Sequence, residues 1–301
     1  MNGPICYCIL VHRDSLLLRQ LMARLLEDSR STIVIHVDGK TKGLVVRLSK
    51  DYQVCGRVRI FSSHKVHWGH YSMCLAMVGC IEEALRIWPD SGRIVFLSGQ
   101  HFLLSPVVAI NNFFDQQPEA EFMEQYCMLT HRWIVGGPYK RRYSYYWPFR
   151  HVNGFHHVLA LTNKLCGVRR EIPYGHHPYS GSQWMSITGR AARILADELG
   201  RPEISEFYSK TLIPDEMLFH TILGNSEVKT NIRNTNLNYI RWNKNGTPKV
   251  LTVENLDELY SAAKSGLFFT RKLDPARSKE LFKKLDSELS HAVSRASVSS
   301  G

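Results

Sequence analysis

Short apolar runs alternate with helical patterns through the first part of the chain. Ile5–Val11 is a continuous apolar run of strand length, and residues 15–28 carry leucines at helical spacing. The same two patterns recur as strands at 32–37, Val58–Phe61 and 93–97, and as helices at 71–88 and Val107–Gln116. Apolar strands that alternate with helices predict an α/β fold, with a mostly parallel central sheet flanked by helices. Ligands bind such sheets at the carboxyl ends of the strands.

The pattern changes character over residues 130–180, where periodicity fails. This stretch is rich in aromatic and basic side chains, among them Lys140, Arg141, Arg142, Tyr143, Tyr145, Tyr146 and Trp147. We interpret it as a long insertion that lines a binding cleft. Regular patterning then returns with a strand at 183–188, a helix at 190–199, a helix that begins at Pro214, a strand at 239–242 and a helix at 254–263.

The end of the chain predicts a last helix with Asp274 as its N-cap and Pro275 at its first position. We therefore expect one domain over residues 1–274, including the insertion, followed by a C-terminal helix and a frayed tail over 275–301. No apolar run approaches the roughly 20 residues of a membrane-spanning helix, and we expect neither a signal peptide nor an anchor.

Composition and charge narrow the class of partner. Hydrophobic residues make up 44% and charged residues 22%, which is typical of a globular protein. The net charge of +11 favours an anionic partner: nucleic acid, lipid headgroups or a phosphorylated small molecule. The seven cysteines are odd in number and include no C-x-x-C pair, which indicates a reducing compartment.

Polar residues at predicted strand ends are the first candidates for a site. Asp38 ends the second strand, where a carboxylate accepts hydrogen bonds from a ribose or a uracil edge; the alternative is a turn residue before Gly39. Ser98–Gly99–Gln100–His101 follows a later strand, and no Asp-x-Asp occurs anywhere in the chain. Because divalent metals prefer such oxygen ligands, this indicates a metal-free solution or a different chemistry.

The paired histidines at 156–157 and 176–177 lack the spacing of a zinc helix, and no cysteine cluster lies near them in sequence. We interpret them as surface or cleft-lining residues and expect no metal site. Walker A, Gly-x-Gly-x-x-Gly, Gly-x-Ser-x-Gly and kinase signatures are all missing from the sequence.

Two further motifs have a structural and a chemical interpretation. Pro214–Asp215–Glu216 is ordinary chemistry for the start of a helix, or it presents Glu216 as a general base that a helix dipole keeps ionised. Arg271 and Lys272 follow an apolar run, with Lys249 upstream. They are a solvated charge pair, or they clamp a diphosphate.

The order of these motifs along the chain is more specific than any one of them. The ordered segments are Ile35–Asp38, Val66–Gly69, Leu97–Gln100, Gly181–Trp184, Pro214–Glu216, Tyr239–Trp242, Pro248–Thr252 and Phe268–Asp274. Together they resemble glycosyltransferase family 14, the core-2/I-branching β-1,6-N-acetylglucosaminyltransferases and peptide O-xylosyltransferases, over about residues 5–274. The resemblance implies a GT-A-type fold and an inverting, metal-independent transfer from a UDP-sugar to an acceptor hydroxyl.

The resemblance also assigns roles to individual residues. Glu216 corresponds to the catalytic base, and Arg271, Lys272 and Lys249 to cations that contact the diphosphate. The nucleotide side corresponds to Val11, Asp38, Val66, His67 and Trp68. The sugar and acceptor side corresponds to Gln183, Trp184, Asp215 and Trp242, and charge alone adds Lys140 and Arg142. Two positions depart from the family: His101 replaces an Asp, and Ile213 replaces a Ser.

These observations predict a bacterial-type member that works in the cytosol, with peripheral contact with an anionic membrane at its inner face. We expect it to move N-acetylglucosamine from its UDP-sugar to a glycan, lipid-linked or peptide acceptor in polysaccharide synthesis. We expect neither a cofactor nor nucleic acid binding. The alternatives are a UDP-xylose or UDP-hexose transferase of the same family, a non-catalytic module that binds an anionic ligand through its basic cleft, and a transferase inactivated at His101.

Overall fold

A computed structural model describes residues 3–130, 139–148 and 155–298 of the chain. Its strands are β1 Ile5–Val11, β2 Ser31–Val37, β3 Val58–Phe61, β4 Arg93–Ser98, β5 Phe102–Leu103, β6 Glu121–Met123, β7 Tyr126–Cys127, β8 Tyr179–Ser180, β9 Met185–Thr188, β10 Ile232–Arg233, β11 Asn238–Ile240 and β12 Phe269–Arg271. Its α-helices are α1 Leu16–Leu25, α2 Leu44–Asp51, α3 Tyr71–Ile87, α4 Val107–Gln116, α5 Tyr139–Ser144, α6 Phe155–Leu165, α7 Gly189–Leu199, α8 Pro202–Ser209, α9 Leu218–Gly224, α10 Leu256–Lys264 and α11 Lys279–Val298.

The central sheet has seven strands in the order β10-β6-β9-β4-β1-β2-β3. All its pairings are parallel except those of β9, which runs antiparallel to β4 and β6. A smaller sheet has the order β11-β12-β5, and β7 pairs with β8. The predicted α/β class with a mostly parallel central sheet is therefore confirmed.

Each face of the central sheet has its own hydrophobic layer. Along β1, Ile5, Tyr7 and Ile9 point into one layer, while Cys6 and Cys8 point into the other. This alternation follows from the two-residue period of a strand, and it explains why β1 is apolar at every position. Helix α11 closes the first layer with its buried leucines, as its helical spacing predicts.

Three parts of the chain differ from the pattern. The helix predicted from Pro214 is instead a single 3₁₀ turn, Pro214–Glu216, which the extended φ of −132° at Met217 separates from α9. Helix α11 begins at Lys279, because residues 275–278 form turns in which the Asp274 carboxylate accepts the N–H groups of Ala276 and Arg277. The aperiodic insertion contains α5 and α6.

Within the described residues, no helix is long and apolar enough to cross a membrane.

Candidate active site

The strand order of the central sheet has a switch point between β1 and β4. Strands β2 and β3 follow β1 on one side, and β4 lies on its other side. Such a switch point leaves a crevice beyond the carboxyl ends of the two strands. Val11 ends β1 there, and Gly99 follows β4, with its N–H donating to the Leu10 carbonyl at 3.1 Å. The predicted nucleotide-side residues lie around this crevice.

Asp38 joins the loops that follow three neighbouring strands. Its backbone N–H donates to Val11, and its Oδ1 accepts from the N–H groups of Lys40 at 3.0 Å and Val66 at 3.1 Å. Burial acts to raise the pKa of Asp38, but these hydrogen bonds outweigh it and hold the pKa below its usual value. The carboxylate is therefore ionised and fixed, and it positions the loop that carries His67 and Trp68.

Arg271 and Lys272 lie over the same crevice. The next residues fasten this segment, since the Leu273 N–H donates to the Gln100 carbonyl at 3.0 Å and Asp274 forms a 2.9 Å ion pair with Arg13. Burial, Arg271 and Arg13 all lower the pKa of Lys272. Arg271 and Lys272 therefore lie together beyond the ends of β1 and β4, with Arg13 held next to them by its ion pair with Asp274. This surplus of positive charge favours an anionic ligand.

Arg271 is held by stacking rather than by a carboxylate. Its guanidinium carbon lies 4.4 Å from the centroid of the Trp184 ring, and its Nε has no hydrogen-bond partner among the described residues. Burial lowers the pKa of Arg271 to about 10. A buried guanidinium without an anionic partner is costly, so an anion bound there would supply its missing counter-charge.

His101 lies behind Trp184 and is part of the core of the site. The two rings meet edge to face with centroids 4.5 Å apart, and His101 Nδ1 accepts the Ser98 N–H at 2.9 Å. Burial and then Arg271 push the pKa of His101 well below its usual value, so the imidazole is neutral. His101 therefore supports the ring on which Arg271 stacks.

The hairpin after β11 places Lys249 and Trp242 beside this segment. Strand β11 pairs with β12 so that Ile240 faces Arg271, and the Leu251 N–H donates to the Lys272 carbonyl at 2.9 Å. Trp242 is 54% exposed and forms an isolated bridge with Pro248. The smaller sheet thus brings together three sequence-predicted segments that lie far apart in the chain.

Glu216 lies in a turn whose backbone is tied to two other predicted segments. The Ile213 N–H donates to the Gly69 carbonyl at 3.3 Å, next to Trp68, and the Gly181 N–H donates to the Glu216 carbonyl at 3.0 Å. Ile213 itself has a left-handed φ of 49°, which is a strained conformation for a β-branched residue. The turn therefore bridges the nucleotide-side loop and the segment that leads to Trp184.

Gly181 is a position where the backbone leaves no room for a side chain. A Cβ there would lie 1.8 Å from the Glu124 carbonyl oxygen. Glycine is therefore required for the segment 181–184 to pass close enough to bond the Glu216 turn.

Arg142, from the insertion, pairs with Glu216. Its Nη2 lies 2.8 Å from Glu216 Oε2, and its guanidinium also approaches the carbonyls of Leu212 and Ile213 at 3.4 Å. The Arg142 side chain is 10% exposed and that of Glu216 is 40% exposed. The Glu216 carboxylate is thus held by a buried guanidinium on one side and is accessible to a ligand on its exposed side.

Asp215 lies beneath Glu216 and is 4% exposed. Its Oδ1 has no hydrogen-bond partner among the described residues. Burial, followed by the neighbouring Glu216 carboxylate, raises the pKa of Asp215 well above its usual value. This placement favours a role for Asp215 in supporting the turn, with Glu216 as the carboxylate that faces a ligand.

Replacing Asp215 by asparagine is expected to stabilise the protein more at about pH 8 than at about pH 4. The raised native pKa means that the native carboxyl holds its proton in a pH range where the unfolded chain has lost it. Wild-type stability therefore falls as the pH rises through that range, whereas an amide does not titrate. The expected gain at about pH 8 is on the order of 1–3 kcal/mol.

Denaturant unfolding across this pH range measures the difference, with the exposed Asp197→Asn as the matched control. A gain that is equal at both ends of the range would mean that the Asp215 carboxyl does not titrate as described.

The remaining predicted residues lie at the margin of the site. Gln183 Nε2 is 3.8 Å from the Met77 sulfur, Trp68 is 67% exposed, and Lys140 is exposed at the start of α5. No group of three or more His, Cys, Asp or Glu in the described ranges could hold a metal ion. His156 and the ends of the insertion lie outside the described side chains.

Sequence reasoning missed Arg13 as a site residue and missed the pairing of Arg142 with Glu216. Arg13 was detectable, because it follows the end of β1 at the switch point. The pairing was not, because the two residues are separated by 74 positions and no local pattern connects them.

Comparison with known proteins identifies the family of the chain. The profile of a family described as "Core-2/I-Branching enzyme" matches residues 5–260. A xylosyltransferase of Ciona intestinalis is 23% identical over 244 residues, covering 80% of this chain and 27% of that protein. Human xylosyltransferase 2 is 23% identical over 255 residues, covering 81% of this chain and 27% of that protein. The chain thus spans less than a third of the length of these relatives.

A family match over most of the chain agrees with the seven-stranded α/β sheet and confirms the expected GT-A-like fold. The chain belongs to the Core-2/I-branching enzyme family, glycosyltransferase family 14.

Proposed function

We propose that the chain transfers a sugar from a UDP-sugar to an acceptor hydroxyl with inversion at the anomeric carbon. The observation that carries the proposal is the Arg271 guanidinium, which stacks on Trp184 beside Lys272 and whose buried Nε has no hydrogen-bond partner among the described residues. The segment that carries Trp184 is bonded to the Glu216 turn. A diphosphate fits the cations, and a hydroxyl acceptor fits the open carboxylate. The resemblance favours N-acetylglucosamine as the sugar, and the named relatives favour xylose.

In this mechanism Glu216 takes the proton of the acceptor hydroxyl as the oxygen attacks the anomeric carbon. The bond from that carbon to the diphosphate oxygen breaks at the same time, and its electron pair leaves with UDP. Arg271, Lys272 and Lys249 stabilise the charge that develops on the leaving phosphate. The product is a glycoside with inverted configuration, and the proton remains on Glu216 until solvent removes it.

We further propose that these fixed cations act in place of a divalent metal. The proposal is supported by the chemistry of the crevice, where the Arg271 guanidinium and the Lys272 ammonium lie together. The nearby carboxylates are already engaged, since Asp38 accepts backbone N–H groups and Asp274 pairs with Arg13. Cations in a water-poor crevice interact with an anion more strongly than the same charges in bulk water.

The direct test is calorimetric titration with UDP and a panel that includes UDP-N-acetylglucosamine and UDP-xylose, with and without EDTA. We expect micromolar UDP binding that EDTA leaves unchanged, and slow hydrolysis of one donor. Binding that needs a metal would overturn the metal-free part of the proposal. If UDP does not bind under any condition, the transferase is wrong and an anionic-ligand module takes its place.

Arg142 has a positioning role in this mechanism. The structure shows it paired with the proposed base rather than facing an acceptor directly. Its contacts with the carbonyls of Leu212 and Ile213 fix the turn, and its charge fixes the carboxylate. The insertion, through Arg142, therefore fixes the orientation of the proposed base.

Replacing Arg142 by glutamine is expected to lower kcat by about 10- to 100-fold, because the base loses its alignment. The KM for the donor should change little, since the contacts described for Arg142 lie on the Glu216 turn. Arg142→Lys keeps the charge without the planar fork and should recover part of the rate. Exposed Arg141→Gln is the matched control. The positioning role would be contradicted if kcat fell equally in Arg142→Gln and Arg141→Gln, or if Arg142→Gln raised only the KM for the donor.

A further inference from the structure

The sequence around the insertion contains a long stretch without acidic residues. From Gln125 to Arg170 there is no Asp or Glu, while there are eight Lys or Arg. We call residues 125–170 the acid-free segment. No carboxylate within the segment offsets this charge. Its exposed cations among the described residues, Lys140, Arg141, Lys164 and Arg169, therefore attract anionic surfaces.

Helix α6, within this segment, carries an apolar stripe that faces solvent. Val158, Leu161 and Leu165 follow the i, i+3, i+7 spacing of one helix face and are 55%, 56% and 77% exposed. The inward side of the helix is polar where it meets the protein, since buried Asn163 bonds both the N–H and the carbonyl of Tyr146. An amphipathic helix with its apolar side outward is unpartnered in the isolated chain.

Cations border this stripe. Lys164 and Arg169 are exposed on α6 and just after it, and Lys140 and Arg141 are exposed on α5. The two helices are joined through the Asn163–Tyr146 pair and through the Arg170 N–H, which donates to the Ser144 carbonyl at 2.9 Å. Tyr146, between them, is 44% exposed. Apolar side chains, a tyrosine and cations thus share one surface.

We propose that α6 docks this surface on a bilayer that contains anionic lipid. The apolar stripe would enter the headgroup region, while the cations of the acid-free segment attract the charged headgroups. Nucleic acid would use the cations but gains nothing from exposed Val158, Leu161 and Leu165. A bilayer uses both, and this favours it as the occupant. Docking in this way places the Glu216 turn, tied to α5 through Arg142, close to the membrane surface.

Vesicle flotation tests the proposal without donor or acceptor. The full chain should bind vesicles of mixed phosphatidylglycerol and phosphatidylcholine and should not bind pure phosphatidylcholine. Joint replacement of Val158, Leu161 and Leu165 by serine should weaken binding at least about tenfold. Serine at exposed Val46, Val54 and Val108, which lie outside the acid-free segment, is the matched control and should bind as the wild type.

The charge component has its own variant. Lys164→Gln with Arg169→Gln should weaken vesicle binding several-fold and reduce its sensitivity to salt. Lys42→Gln with Lys50→Gln, at exposed positions just before α2 and on it, should do neither. Thermal unfolding of each variant shows that it is folded, and UDP titration shows that the donor site is intact. A loss of vesicle binding with normal UDP binding therefore concerns this surface alone.

Three results would overturn the proposal. They are a wild type that does not bind anionic vesicles, a serine variant that binds as well as the wild type, and a stripe buried by self-association in solution. Binding to single-stranded RNA that is indifferent to the serine changes, with no vesicle binding, would assign the charge to nucleic acid instead.

Discussion

Replacing Glu216 by glutamine is expected to abolish sugar transfer and to leave UDP binding unchanged. Glutamine keeps the shape of the side chain but cannot take the acceptor proton, so kcat should fall about a thousandfold. Arg142 would still contact the amide oxygen, which preserves the turn. Arg271 and Lys272, which lie on a different segment of the chain, should bind UDP as before.

Transfer kinetics with the preferred donor and calorimetric titration of UDP measure the two properties separately. Exposed Glu227→Gln, which breaks a surface ion pair with Arg190, is the control for the loss of a carboxylate. Full activity in the Glu216 variant would place the base elsewhere. Loss of UDP binding would show that the turn organises the donor site, and would contradict the separation of roles.

Replacing Arg271 by glutamine is expected to weaken UDP binding about a hundredfold, or about 3 kcal/mol. The Arg271 Nε is buried and has no hydrogen-bond partner in the part of the chain that the structure describes, so a bound diphosphate gains strongly from it. Glutamine fills part of the same space but carries no charge. Lys272→Gln should have a smaller effect, because a single ammonium lacks the paired N–H contacts that a guanidinium makes with a phosphate.

Calorimetry with UDP and with uridine distinguishes loss of the phosphate contact from damage to the site. Uridine lacks the diphosphate, so its weaker binding should not change in either variant. Arg277→Gln, an exposed arginine six residues away, is the matched control. Because Arg271 stacks on Trp184, thermal unfolding must show that the Arg271 variant is still folded. If it is not, the Lys272 variant tests the diphosphate contact. UDP binding that survives in both variants would contradict the diphosphate role.

The elements of the central sheet could be predicted because the spacing of apolar residues along each element shows which of its faces are buried. Ile5–Val11 is as predicted, since a strand covered on both faces must be apolar throughout. Val58–Phe61 is also as predicted, although it lies at the edge of the sheet and its Arg59 is exposed. The helix over Val107–Gln116 likewise shows its period in sequence. These elements need only neighbouring residues to be recognised.

The environment of the proposed base could not be predicted in this way. Pro214–Asp215–Glu216 has the residues of a helix start, but two long-range hydrogen bonds hold it as a separate turn. The Ile213 N–H donates to the Gly69 carbonyl, and the Gly181 N–H donates to the Glu216 carbonyl. Those partners lie far away in sequence, and so does Arg142. Tertiary contacts therefore override the local propensity at the point where the chemistry is proposed.

Helix α6 in the insertion could not be predicted from the spacing of apolar residues either. Asn163 on α6 bonds Tyr146, and Arg170, just after the helix, donates to the carbonyls of Tyr145 and Lys210, so polar contacts hold α6 against the protein. Such a helix shows no inward hydrophobic period. On α6 the period that exists points outward.

The left-handed backbone at Ile213 implies a compromise between stability and activity. A β-branched residue in this conformation costs about 1–3 kcal/mol, which the surrounding contacts must repay. Glycine would remove that cost but would also loosen the turn that aims Glu216. Selection for a more thermostable protein would therefore act against this residue, and selection for turnover would retain it.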